Sequence, residues 1–77
     1  MNQLLHLKGH LEPLETLSDR ELQVFTMIAQ GKKIREAAAV LGLSEKTVEN
    51  YRSRIFVKLN LKRSVDLVAF AHQYGLI

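Results

Sequence analysis

Apolar side chains recur every three or four positions along most of this chain, and nowhere alternate with polar ones over the length of a strand. That period is helical. Leu22, Phe25, Ile28 and Ala29 form a first inward stripe. It is opened by Ser18 and Glu21, an S-x-x-E capping box in which each side chain satisfies the other residue's backbone N–H. Leu17 and Leu22 stand where a hydrophobic staple belongs, and Gly31 supplies a left-handed stop. A second helix is expected over about Ile34 to Leu41, with Ala37, Ala38 and Ala39 allowing a neighbour to approach closely. Gly42 ends it. Ser44 then caps a third helix running to about Leu59, stapled by Leu43 and Val48 and burying Val48, Ile55 and Leu59. A fourth helix is predicted from a Ser64 cap to Tyr74, stopping at Gly75. Gly9 and Pro13 interrupt the N-terminal stretch, so residues 1–16 read as a linker or flexible tail. The expected fold is all-α, a four-helix domain over 17–77.

A chain of 77 residues without cysteine has neither a disulfide nor a thiolate metal site, and must draw its stability from well-formed helices or a partner subunit. The apolar cluster around Leu4, Leu5 and Leu7 is short and broken by His6 and Lys8, unlike a signal peptide or membrane span. A soluble, cytoplasmic protein is expected. The net charge of +3 is modest, but its placement is uneven. Residues 1–43 hold five basic and five acidic side chains, whereas residues 44–63 hold six basic and two acidic ones. The positive charge therefore belongs to the third helix and the turn after it. A nucleic-acid footprint requires such a concentration, and a merely solvated basic face also produces it.

The spacing between the second and third helices is tighter evidence. Ala38, Gly42 and Val48 stand where a helix-turn-helix needs a small contact residue, a sharp turn and a locking side chain, with Leu41, Leu43 and Tyr51 filling around them. A purely structural helical hairpin with a glycine turn has the same pattern. At about 100° per residue, Val48, Ile55 and Leu59 point inward, while Lys46, Glu49, Asn50, Ser53, Arg54 and Val57 point broadly outward. Thr47 and Lys58 flank that outward face, and Arg52 lies nearer the core side. Short polar residues bordered by long cations suit a major groove, with bases beneath and phosphates at the rims.

The stretches LSDRE (17–21), LGLSEKTVENYRSRI (41–55), KLNLKRSVDLV (58–68) and YGLI (74–77) together resemble the DNA-binding domain of LuxR/NarL-type helix-turn-helix regulators, such as the effector domains of response regulators in two-component systems. The resemblance covers about four fifths of the chain. It implies a third helix in the major groove of double-stranded DNA, and a regulatory domain outside this chain. The family's base-reading positions fall on Glu49, Asn50 and Ser53, and its backbone-contacting positions on Lys46, Thr47, Tyr51, Arg54 and Lys58. This sequence departs from its relatives at KKIREAA (32–38), at Val57, where relatives are often basic, and at Glu49, where several carry a cation.

The two glutamates of the third helix have separate explanations. Glu45, in the first turn, suits the positive end of the helix dipole. Glu49 falls at a base-reading position, where a carboxylate accepts from a cytosine amino group; pairing with Arg52 or Ser53 on the helix itself is the other option.

The fourth helix carries apolar residues around most of its circumference, more than a small domain covers by itself. A two-fold homodimer through Val65, Val68, Ala69, Phe70 and His72 would set two recognition helices on successive major grooves, as in the resembled family. The rival from another class is a protein-interaction module using this helix; a sigma-factor-like promoter reader is a nearer one. His6 and His10 have metal-ligand spacing on a helix, but Gly9 and the lack of further ligands favour a tail. No nucleophile elbow, phosphate loop or carboxylate pair appears, so neither enzymatic activity nor a cofactor is expected. Asp19 and Asp66 sit in helix-opening sequences and do not resemble phosphoacceptors.

Overall fold

The computed structural model describes residues 13–76. They hold a short helical stretch over residues 13–15 and four longer α-helices, α1 (Asp19–Ala29), α2 (Ile34–Leu41), α3 (Glu45–Lys58) and α4 (Ser64–Gln73), and no strand. The all-α class and the bounds of the helices agree with the periodicity. His6, His10 and the Leu4–Leu7 cluster lie outside the described residues.

The helix starts are held by side chains. Ser18 Oγ accepts from the Glu21 N–H at 3.1 Å, and Glu21 Oε1 accepts from the Ser18 N–H at 2.8 Å, completing the expected box. At α2, Glu36 reaches back to the Lys33 N–H at 2.9 Å. At α3, Ser44 Oγ accepts from the Thr47 N–H at 3.1 Å. The start of α4 differs from expectation. Arg63, not Ser64, is the capping residue, because Asp66 accepts from the N–H groups of Arg63 at 2.9 Å and Lys62 at 3.2 Å. The carboxylate of the third helical residue reaches back to the N–H groups before the helix, and Ser64 becomes the first helical residue.

The four helix ends share one device. A residue with positive φ follows the last turn, and the next N–H reaches back five residues: Lys32 to the Met27 carbonyl at 3.0 Å, Leu43 to Ala38 at 2.9 Å, Leu61 to Phe56 at 2.8 Å and Leu76 to Ala71 at 2.9 Å. Glycine holds three of these left-handed positions; after α3 it is Asn60, at φ 55°. Asparagine tolerates this region better than other side chains. The end of α3 therefore needed no glycine, and the turn signal there was missed.

Helix α1 is the hub, packing on α2, α3 and α4, while α3 also packs on α2. The core comprises Val24, Phe25, Ala29, Ala37, Ala38, Val48, Ile55, Leu59, Leu67 and Ala71. Leu22, expected inward, is 39% exposed. The buried face of α1 is rotated toward Glu21, Val24 and Phe25, so Val24 takes the core position that Leu22 was expected to fill. Residues 13–16, expected to belong to a tail, are attached to the domain. Residues 13–15 are helical, with Pro13 in a conformation its fixed φ permits, and Leu14 and Leu17 pack against the core.

Glu21 is the one charged residue among the buried side chains described, at 3% exposure. It lies on the inward face because its carboxylate has partners there: the Ser18 N–H, and the Lys58 ammonium at 2.6 Å. Lys58 also donates to the Thr16 carbonyl at 3.0 Å. The Lys58 hydrogen bond, followed by that of the Ser18 N–H, holds the Glu21 pKa below its ordinary value of 4.5, against the opposing effect of burial. A carboxylate with a depressed folded pKa stabilises the fold fully above its unfolded value and loses that contribution as pH falls through the folded one. Asp66 acts in the same direction, lowered mainly by the Arg63 N–H. Thermal midpoints followed by circular dichroism should therefore fall as pH is taken from neutrality to below 4.5, with Glu21→Gln flattening much of that slope. Lys58→Met leaves a buried carboxylate unpaired and should cost about 3 kcal/mol in urea denaturation at neutral pH.

Candidate nucleic-acid interface

Three inward residues, Val48, Ile55 and Leu59, fix the rotation of α3, all of them buried. Opposite them Lys46, Glu49, Asn50, Ser53, Arg54 and Val57 are exposed, as the wheel requires. The turn before α3 fixes its position. Gly42 adopts φ 67° and ψ 34°, a left-handed conformation costly for residues with a Cβ. It lets Leu43 double back onto Ala38 and tuck against the core beside Val48.

The expected site residues fall into two groups. Glu49, Asn50 and Ser53 are exposed along one side of α3, and so are Lys46 and Arg54. The others are held more closely. Thr47 is half-buried, its Oγ1 accepting from Ser44 Oγ at 2.9 Å. The half-buried Tyr51 ring packs against the core with the Arg54 guanidinium 5.4 Å from its centroid, a cation–π contact that supports the cation from below. Lys58 directs two of its three donors inward, to Glu21 and Thr16, which leaves a single proton for any phosphate.

Arg52, which the sequence placed near the core side, has a structural task. Its guanidinium lies 4.2 Å from the centroid of the Phe56 ring and donates to Ser64 Oγ at 3.1 Å. It thereby ties the middle of α3 to the first residue of α4. This arrangement also bears on Glu49. The two salt bridges among the described residues are Lys58–Glu21 and Arg63–Asp66; Glu49 is in neither, and its carboxylate is exposed. The roles of Arg52 and Ser64 were not evident from the sequence, since their contact spans twelve residues.

On α4 the five candidate dimer residues separate. Val65 (60% exposed), Ala69 and His72 are open to solvent and Val68 is half-buried beside them. At about 100° per residue these four share one side of the helix. Phe70 lies on another side, packed edge-on against Phe25 at 5.9 Å and against Tyr74 at 4.6 Å. It is half-buried in the chain's own fold. Among the described residues no group of three or more His, Cys, Asp or Glu side chains is placed to hold a metal, and no helix is long and apolar enough to cross a membrane.

Two short helices joined through a left-handed glycine, the second presenting a polar and cationic face, define a helix-turn-helix domain. Sequence comparison leads to the same class. The family described as GerE, "Bacterial regulatory proteins, luxR family", matches residues 15–71. The chain belongs to this family, whose members are DNA-binding regulators of transcription and not enzymes. It is 47% identical over 64 residues to "Response regulator UvrY" of Escherichia coli, covering 83% of this chain and 29% of that protein. It is 41% identical over 68 residues to "Response regulator GacA" of Pseudomonas aeruginosa, covering 88% and 32% respectively. "Transcriptional regulatory protein TdiR" of Thauera aromatica is 46% identical over 61 residues, covering 79% and 27%. The chain thus spans about three tenths of the length of the curated relatives it matches.

If the exposed residues of α3 are free of structural duty, alanine at Glu49, Asn50 or Ser53 should change folding stability by less than about 0.5 kcal/mol. Ser44→Ala, which removes the cap from the same helix, should cost about 1 kcal/mol. Urea titrations of the four variants compare the two groups directly.

Proposed function

We propose that this domain binds a specific sequence in duplex DNA with α3 in the major groove, and that it does so as the DNA-reading part of a larger transcriptional regulator. The observation that carries this reading is the outward face of α3. It is rigidly seated by Val48, Ile55 and Leu59, exposes Asn50, Ser53 and Glu49 along its length, and is flanked by Arg54 and Lys46. Lys46 and Arg54 contact phosphates, with Tyr51 holding Arg54 in place and Thr47 at the flank. Asn50 pairs with a base edge, an adenine being its best geometric match. Ser53 reads beside it. Glu49, outside both ion pairs, accepts from a cytosine amino group and disfavours acceptor-rich edges. Lys58 serves mainly from behind, by anchoring α3 through Glu21.

Two copies pair through α4, using the side that carries Val65, Val68, Ala69 and His72, and occupy half-sites about one helical turn apart. Relatives named as response regulators are roughly three times longer than this chain, which supports control by a receiver domain outside it. Such a protein works in the cytoplasm.

Arg54→Ala should weaken binding to all duplexes alike and lower the salt slope by about one. Asn50→Ala should relax the preference at one base position by about 1–3 kcal/mol and leave the slope unchanged. Anisotropy titrations across salt, on sites selected from random DNA, measure both. Failure of the wild-type chain to bind any duplex at low salt defeats the proposal.

A further inference from the structure

We infer that Val57 contacts the 5-methyl group of a thymine in the bound duplex, as the apolar member of the base-reading face. The inference rests on the DNA-binding reading above and deepens it. Val57 is 81% exposed, more than Leu22, Val40 or Val65, the other large apolar side chains open to solvent among the described residues. Its place on α3 is central. At about 100° per residue it points directly away from Val48 and the buried edge, in line with Lys46 and Asn50. The rims do not cover it. Lys58 turns inward to Glu21, and Arg54 lies over Tyr51. What remains is a shallow apolar depression lined by Ser53, Arg54, Val57 and Lys58.

A valine there offers phosphates nothing. The major-groove edge of a base pair carries one apolar group of matching size, the thymine methyl. Val57 presents its own two methyls with little freedom to lose, because a β-branched side chain in a helix holds essentially one rotamer. It stands about 6 Å along the helix axis from Ser53 and about 10 Å from Asn50. For a helix lying along the groove, the thymine then falls roughly three base pairs from the base that Asn50 reads, at about 3.4 Å per pair.

The test uses duplexes that this chain selects from random DNA, with each thymine replaced singly by deoxyuridine, which pairs identically but lacks the methyl. Binding should weaken about threefold to fivefold at one thymine per half-site, the worth of one buried methyl group. Val57→Ala should lose a similar factor on the thymine duplex and no longer distinguish the two bases there, while Asn50→Ala keeps the distinction. Thermal melts confirm that both variants remain folded. A scan with no methyl-sensitive position, or a Val57→Ala variant that retains the sensitivity, overturns the inference and leaves the DNA-binding reading standing. Absence of any selected sequence overturns the DNA-binding reading first, and this inference with it.

Discussion

The fold turns on one ion pair. Glu21 is a carboxylate on the inward face of the central helix, and such a group is tolerated only with its charge compensated. Lys58 provides that compensation from the far end of α3 and binds the Thr16 carbonyl as well. Three parts of the chain meet in this contact: the approach to α1, the first turn of α1 and the last turn of α3. Apolar packing with Val48 and Ile55 sets which side of α3 is inside and interlocks its side chains with the core. The hydrogen-bonded charge pair adds to this, since moving either partner leaves a buried carboxylate uncompensated. The register of the outward residues of α3 is thus tied to a contact on its opposite side.

Much of this was legible in the sequence, for physical reasons. Helix existence follows from a 3.6-residue period and from caps that act over three positions, so the Ser18–Glu21 box, the Ser44 cap and the Gly42 turn were all readable. The exposed face of α3 followed from the same period. Contacts across long separations were not readable. Nothing local shows that Glu21 serves Lys58 as well as Ser18, or that Arg52 reaches Ser64, twelve residues on. The rotation of α1 that exposes Leu22 and buries Val24 keeps Val24, Phe25, Ile28 and Ala29 on one inward face together with Glu21. Asn60 was missed because a left-handed asparagine looks like any polar loop residue. The sequence suggests Ser64 as the cap, but the helix begins one residue earlier, with Asp66 reaching back to the N–H groups of Arg63 and Lys62.

The division of labour on α3 explains how a mildly basic chain can suit a polyanion. Its cations are few, and several have structural employment: Lys58 with Glu21, Arg52 with Phe56 and Ser64, Arg63 with Asp66. The outward face of α3 is correspondingly short of charge and rich in small groups with distinct hydrogen-bonding character. If it reads duplex DNA as proposed, it draws less of its affinity from phosphate neutralisation and more from the match to base edges. That balance favours discrimination between sequences over tight binding to all of them.

Arg52 has a consequence beyond its own contacts. By stacking on Phe56 and bonding Ser64 it ties the middle of α3 to the first residue of α4. If two copies pair through α4 as proposed, this tie helps to set the distance and tilt between their outward α3 faces. Such a pair would act as a caliper, measuring the phase of the double helix as well as its bases. Operators with an added or missing base pair at their centre would then have to be matched by twisting the DNA or straining the tie, a second source of selectivity.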